Sequence, residues 1–162
     1  MTILGVDIGI AITGIGVVEK QGNNINYIYH TAIETHKSLP IPERLQILYN
    51  EFNKIVLEYK PVLAAVEELF FFKNAKTIIP VGEARGVVML ALQQQGLLIE
   101  EYTPLEVKQA VSSYGRADKK QVQAMVKMLY NLKEIPKPDD AADALAIAWC
   151  AAASIKNIKG LL

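Results

Sequence analysis

The sequence predicts an α/β fold, a five-stranded mixed sheet flanked by helices on both faces. Residues 2–34 hold three short runs rich in β-branched and aromatic side chains, separated by glycine-containing turns. Such runs are typical of an antiparallel meander. The rest alternates a helical pattern with two further strand patterns, and a strand–helix–strand unit implies parallel pairing through a right-handed crossover. The length of 162 residues suits one domain over residues 1–162.

Turn residues and hydrophobic periodicity set the expected boundaries. Gly9 and Gly14 bracket the first connection, and the Q-G-N-N run at 21–24 is typical of a hairpin turn. Apolar residues recur at helical spacing over 42–59, and Pro61 ends that helix. We expect strands at 2–8, 12–19, 25–34, 62–69 and 97–102, helices at 42–59, 75–95, 104–112, 118–132 and 139–157, and a loop at 70–74.

Charge is unevenly distributed along a chain whose net charge is zero. Residues 1–72 hold five basic and eight acidic residues, whereas residues 73–133 hold nine basic and five acidic ones. Residues 134–162 hold three basic and four acidic residues. A basic middle between acidic ends is compatible with a nucleic-acid-binding face beside an acidic site.

Composition argues against several other classes of protein. Cys150 is the single cysteine, so no disulfide can form within the chain, which fits a reducing cytoplasm. His30 and His36 have no Cys or His neighbours at zinc spacing. The N-terminus lacks a basic region and contains Asp7, and no run of about 18 apolar residues occurs, so neither a signal peptide nor a membrane span is expected.

Acidic side chains occur at three places where apolar residues would be expected. Asp7 lies inside the first strand pattern, and Glu67 and Glu68 follow the fourth. Successive strand residues face opposite sides, so one glutamate at most shares a face with Asp7, and alternation alone does not say which. The P-D-D-A-A-D-A-L-A stretch from 138 places two further acids, at 140 and 143, on one helical face.

The acids have two alternative interpretations. Asp7 could be an ordinary turn residue, and Asp139, after Pro138, could be an N-cap. If the other acids converge instead, their charges repel one another unless cations are bound. Oxygen ligands favour Mg²⁺ or Mn²⁺ over zinc, and two such ions can activate a water and stabilise the leaving oxygen in phosphodiester cleavage.

An ordered set of motifs resembles the RuvC family of bacterial Holliday-junction resolvases. Each motif is weak alone, but together they cover nearly the whole chain in the order of the family. They are G-V-D-I-G-x-x-x-T-G-x-G-V at 5–17, V-E-E-L-F at 66–70, K-N-A at 73–75, G-E-A-R-G at 82–86, E-V-K-Q at 106–109, G-R-A-D-K-K-Q-V-Q at 115–123 and D-A-A-D-A-L-A at 140–146.

The resemblance implies an RNase H-like fold and a metal-dependent nuclease. Its catalytic metal ligands fall on Asp7, Glu67, Asp140 and Asp143, for two Mg²⁺ ions that Mn²⁺ can replace. Two departures stand out: Ile8 replaces the usual proline of D-P-G, and Glu83 replaces the usual glutamine of G-Q-A-R-G. Neither removes a ligand, although Glu83 adds a negative charge to a helix expected to approach DNA.

The resemblance also assigns a DNA-binding surface, although for any single lysine a solvated helix face is the simpler interpretation. Lys108 and Lys119 match lysines that hold or polarise the cleaved phosphate. The expected contacts to the DNA backbone are Lys73, Lys76, Arg85, Arg116 and Lys120. Phe70 matches a residue that stacks on unpaired bases at the crossover, whereas the simpler interpretation of Phe70–Phe72 is a core contribution.

The resemblance further implies partners. Gly82 and Gly86 lie four apart in a helix that either packs on the sheet of its own domain or lies in a two-fold homodimer interface. A four-way DNA junction is the expected substrate, and the RuvA and RuvB branch-migration proteins are expected partners. The alternatives are a catalytically silent junction-binding protein and, from the D-I-G-x-x-x-T-G motif alone, a fragment of an actin- or hexokinase-like nucleotide-binding protein.

Overall fold

The structure is a computed structural model that describes residues 1–68 and 75–155, apart from the side chains of 75–77. Its elements follow the predicted order, and the predicted loop at 70–74 lies outside the described residues. The strands are β1 (Thr2–Asp7), β2 (Ile12–Gln21), β3 (Asn24–Glu34), β4 (Leu63–Glu67) and β5 (Leu98–Tyr102). The helices are α1 (Ile41–Tyr59), α2 (Ala75–Gln94), α3 (Pro104–Ser112), α4 (Lys119–Leu129) and α5 (Asp139–Ser154).

The five strands form one mixed sheet in the order β3-β2-β1-β4-β5. β1 pairs with β2, and β2 with β3, in antiparallel fashion, whereas β1 pairs with β4, and β4 with β5, in parallel. The predicted meander and the predicted parallel pairing are therefore confirmed. Because β1 and β4 are parallel neighbours, their carboxyl ends meet at one edge of the sheet.

Helices cover both faces of this sheet, as predicted. Leu4 and Val6 of β1 belong to the core under α1 and α2, where Leu48 and Phe52 are buried. Ile3 belongs to the core under α3, α4 and α5. The helix α5 crosses β1 and β2 directly, and ten of its sixteen residues are buried.

Some predicted boundaries shift. β4 ends at Glu67 rather than at 69, and α4 ends at Leu129 rather than at 132, just before Asn131 takes a positive φ of 51°. The assignment of Asp139 as an N-cap is wrong. Pro138 occupies the cap position without a side-chain cap, so Asp139 is already the first residue of α5. An acid in the first turn still interacts favourably with the helix dipole.

The helix α2 leaves part of its surface exposed. Gly82 and Gly86 are exposed, and a Cβ added to either one would meet nothing within 4 Å. The alternative that these glycines pack on the sheet of their own domain is therefore wrong. Ile79 and Leu90, on the same helix, are 71% and 54% exposed. No helix in the described part of the chain is both long and apolar enough to cross a membrane.

Candidate active site

Asp7 is the last residue of β1, and its side chain points toward α5. Side chains alternate along a strand. Leu4 and Val6 point into the core under α1 and α2, so Asp7, the next residue along, points to the opposite face. The strand thus ends with a carboxylate at the sheet edge, facing the helix that carries the other acids.

Glu67 takes the corresponding position on β4. Ala64 and Val66 point into the core under α1 and α2, so Glu67 faces α5 as Asp7 does. Val66 pairs with Val6, which makes the two acids neighbours one residue beyond the last ladder pair. Glu68 comes after the end of β4, so it does not occupy the strand position that matches Asp7. The structure therefore separates two glutamates that alternation alone could not.

Glycines in the sheet bring the acids of α5 close to Asp7. A Cβ on Gly14 would overlap the carbonyl oxygen of Asp140, and a Cβ on Gly5 would overlap that of Ala144. Gly14 is also the β2 residue paired with Asp7. Gly14 was predicted only as a turn residue, although a glycine inside a strand pattern is itself a signal for close backbone approach.

The four acids influence one another's ionisation. Burial, followed by the charges of Asp143, Glu67 and Asp140, raises the pKa of Asp7 to about 7. Burial, then the charge of Asp143, also raises the pKa of Glu67. Burial raises the pKa of Asp143, with Lys119 opposing and Asp140 adding to the shift. The four carboxylates form one electrostatic cluster whose full ionisation is costly.

Two lysines partly compensate this negative charge. Lys119 Nζ lies 3.0 Å from Asp143 Oδ2 and 3.6 Å from Asp139 Oδ2. Burial opposes the charged lysine, but the hydrogen bond to Asp143 and the nearby carboxylates outweigh burial, so the pKa of Lys119 is raised. Lys108 lowers the pKa of Glu67, against the upward effect of burial. The predicted phosphate-handling lysines thus lie beside the acids.

The donor set fits a hard divalent cation in chemistry, because all four side chains offer carboxylate oxygens. The positions of these side chains do not yet match a cation-binding site. Among residues 1–68 and 78–155, no three Asp, Glu, His or Cys side chains are close enough to hold one ion. Lys119 instead neutralises Asp143. Binding of one cation by three of these carboxylates therefore requires side-chain movement within the cluster.

The remaining predicted DNA contacts separate into three groups. Arg116 is exposed in the connection between α3 and α4, and Lys120 is exposed in the first turn of α4, beside Lys119. Asp118 and Gln121 form a capping box that holds this end of α4. Phe70, Lys73 and the side chain of Lys76 lie outside the described residues.

Arg85, the last predicted DNA contact, makes contacts within the protein instead. Its Nη1 donates to the backbone carbonyl oxygen of Glu67 at 3.0 Å. Its Nη2 pairs with the carboxylate of Glu101, and the Arg85 side chain is only 16% exposed. No pattern in the sequence predicts this contact, because α2 and β4 meet only in the folded chain.

A family model described as crossover junction endodeoxyribonuclease RuvC matches residues 3–151. A protein of that description from Thermosipho melanesiensis is 56% identical over 152 residues, which cover 94% of this chain and 97% of the relative.

Solved structures agree with this match. The structure of Thermus thermophilus RuvC superposes with a TM-score of 0.86 at 34% identity, covering 94% of both chains. T. thermophilus RuvC in complex with a Holliday junction substrate superposes with a TM-score of 0.85 at 32% identity, again covering 94% of both chains. The sheet order and the helices on both faces are those of the RNase H-like fold.

Proposed function

Since the chain belongs to the RuvC family of metal-dependent crossover junction endodeoxyribonucleases, we propose that it resolves Holliday junctions at the cluster formed by Asp7, Glu67, Asp140 and Asp143. The enzyme hydrolyses one phosphodiester in each of two opposed strands and leaves 5′-phosphate and 3′-hydroxyl ends. Residues 1–162 act as a single nuclease domain. The observation that carries the proposal is geometric: Asp7 and Glu67 end the neighbouring parallel strands β1 and β4, and the start of α5, with Asp140 and Asp143, lies directly against the sheet at Gly14.

We propose Mg²⁺ as the metal, two ions per site, with Mn²⁺ as a substitute. Bound divalent ions supply charge stabilisation to the attacking and leaving oxygens of the phosphodiester. The four acids hold the ions, and α5 fixes Asp140 and Asp143 one helical turn apart. The exclusively carboxylate donor set supports a hard cation of this type.

The lysines act on the phosphate. The ammonium of Lys119, which lies beside Asp143, would bind a phosphate oxygen near the cleaved bond once cations share the negative charge of the cluster. Lys108, on the Glu67 side, contributes a second positive charge. The 3.0 Å contact between Lys119 Nζ and Asp143 Oδ2 supports this role, because it brings a positive charge beside the acids.

We propose that DNA lies along the surface around the start of α4. Arg116 and Lys120 are exposed there and can neutralise backbone phosphates, which makes binding salt-dependent. Lys73 and Lys76 extend this surface, and Phe70 stacks on bases unpaired at the crossover. These last three assignments rest on the sequence motifs alone.

The test is cleavage of a labelled synthetic four-way junction. With Mg²⁺ or Mn²⁺ we expect paired nicks in opposed strands, products that DNA ligase can seal, and no nicking of linear duplex of the same sequence. EDTA should abolish cleavage and leave junction binding in place. Cleavage that persists in EDTA would contradict the metal proposal, and binding without cleavage in either metal would identify a silent junction-binding protein.

We also propose that α2 forms the interface of a two-fold homodimer. The exposed Ile79 and Leu90 supply apolar surface, and Gly82 and Gly86 leave room for close approach of a second backbone. An isologous dimer would present two equivalent active sites to the two scissile strands of a junction. RuvA and RuvB as partners, and a cytoplasmic location, belong to the same proposal and rest on family membership.

Leu90→Glu is expected to convert the dimer to monomer. A charge placed in an apolar interface without a partner costs about 3 kcal/mol or more, which is over 10²-fold in the dissociation constant. Sedimentation equilibrium at micromolar concentration measures the effect. Leu105→Glu is the matched control, because Leu105 is also 54% exposed but lies on α3, across the sheet. Monomeric wild-type protein would refute the interface.

A further inference from the structure

Among the basic side chains that the structure describes, Arg85 is notable because it binds directly to the backbone of a proposed metal ligand. Its Nη1 donates to the carbonyl oxygen of Glu67 at 3.0 Å, across 18 positions of sequence. The guanidinium comes from α2, on the face of the sheet opposite the acids. The contact therefore runs around the end of β4, from one face to the active-site edge.

β4 ends at Glu67, and the N–H of Glu68, on the same peptide as the Glu67 carbonyl, still donates to the carbonyl oxygen of Tyr102 on β5 at 2.8 Å. The pairing of β4 with β1 ends at Val66, and its pairing with β5 ends at Glu67 itself. A backbone carbonyl at a strand end needs another hydrogen-bond donor when it is removed from water. Arg85 supplies that donor, so the peptide between Glu67 and Glu68 is held at its carbonyl by Arg85 and at its N–H by Tyr102.

A second contact fixes the guanidinium itself. Glu101, on β5, binds Nη2 while Nη1 binds Glu67, so two of the guanidinium nitrogens are held by adjacent strands. The planar, forked donor geometry of arginine suits such a double contact, which a lysine ammonium cannot reproduce. The arginine side chain is only 16% exposed. Its charge is thus largely satisfied inside the protein and is poorly placed to neutralise a phosphate.

We propose that Arg85 is a positioning residue for Glu67. By holding the backbone at the end of β4, it limits the directions that the Glu67 carboxylate can take toward the other acids. Outer contacts of this kind typically change metal affinity or activity by about 10- to 100-fold when removed. The inference rests on the proposed role of Glu67 as a metal ligand, and it replaces the expectation that Arg85 contacts DNA.

Arg85→Ala is the primary test, with two measurements. Mn²⁺ binding to the free protein, followed by calorimetry, should weaken about 10-fold or more, and the Mg²⁺ concentration for half-maximal single-turnover junction cleavage should rise in parallel. The salt dependence of junction binding in EDTA should stay that of wild type. Arg85→Lys should recover only part of the metal affinity, because lysine keeps the positive charge but lacks the forked guanidinium that binds two groups at once. The lysine variant also replaces the alanine variant in this test if the alanine variant does not fold.

Arg116→Ala is the matched control, since Arg116 is an exposed arginine proposed to bind a phosphate. It should reduce the slope of log affinity against log salt by about 1 and leave Mn²⁺ binding unchanged. The proposal is overturned if Arg85→Ala shows that same pattern, or if it lowers only thermal stability. Glu67→Gln distinguishes failure of the proposed active site from failure of the positioning role. If Glu67→Gln leaves Mn²⁺ binding and cleavage intact, the proposed site is wrong. If Glu67→Gln loses Mn²⁺ binding and cleavage but Arg85→Ala keeps both, only the positioning role is refuted.

Discussion

Asp7→Asn is expected to abolish junction cleavage while leaving junction binding intact. The amide keeps the size of the carboxyl but cannot supply the negative charge that a divalent ion needs. Loss of about 4 kcal/mol of transition-state stabilisation corresponds to a rate reduction of roughly 10³-fold. Single-turnover cleavage and a gel-shift titration of the same junction measure the two properties. Glu68→Gln is the control and should cleave normally, because Glu68 lies beyond β4 and away from the cluster.

The same substitution should stabilise the metal-free protein at neutral and higher pH. The pKa of Asp7 is about 7 in the folded protein, against 3.8 for the ordinary group. Between these values the folded state keeps a proton that the unfolded chain has lost. The free energy of unfolding of wild type therefore falls as pH rises through this window, by about 1.4 kcal/mol per pH unit at the steepest, and levels off above it.

Urea unfolding in EDTA at pH 5 and pH 8 tests this effect. The advantage of Asp7→Asn over wild type should be larger at pH 8, because the asparagine carries no charge that is buried and that repels Asp143, Glu67 and Asp140. Equal unfolding free energies at pH 8 would mean that ionised Asp7 is neither buried nor close to the other three acids. Added Mg²⁺ should narrow the difference by stabilising wild type.

Gly14→Ala is expected to produce the largest structural effect of any single methyl group in the site. The added Cβ would lie within 3.0 Å of the backbone of Asp140 and would overlap its carbonyl oxygen. Backbone cannot rotate away as a side chain can, so β2 or the start of α5 must shift. Overpacking of this kind costs about 1–3 kcal/mol or more. A displaced α5 would also separate Asp140 and Asp143 from Asp7, so cleavage should fall together with stability.

Gly82→Ala is the matched control for this substitution. Gly82 lies in a helix, and a Cβ there meets no atom within 4 Å, so the change should raise stability by up to about 1 kcal/mol through helix propensity. Urea unfolding and single-turnover cleavage are compared at concentrations where sedimentation shows the same oligomeric state. Gly14→Ala protein that unfolds and cleaves like wild type would refute the close approach of α5 to the sheet.

Periodicity and turn residues predicted the element order well because they report local physics. The helix α1 was recognised from its apolar spacing and ends at Tyr59, two residues before Pro61. The errors concern places where local signals are ambiguous. Asp139 has the composition of an N-cap, but Pro138 takes that position in the folded chain. Local composition does not distinguish a cap from the first helical residue.

The acids of the site were identifiable from sequence because carboxylates in apolar surroundings are unusual. Their convergence was not, because it depends on long-range geometry. Alternation left the choice between Glu67 and Glu68 open. The family resemblance selected Glu67, and the packing of Val66 under α1 and α2 shows the physical reason, because it turns the Glu67 side chain to the face of Asp7. Arg85 was predicted to belong to the DNA-binding surface, and in the fold it binds Glu67 and Glu101.

The sequence by itself determined the order of strands and helices, the acidic residues available for a metal and, through its motifs, the family. The tertiary structure decided which of these residues meet. Asp7, Glu67 and Asp140 lie at least 60 positions apart in the sequence. They come together because β1 and β4 are parallel neighbours and Gly14 lets α5 lie against the sheet. Such contacts depend on the relative placement of whole elements, which no local pattern encodes.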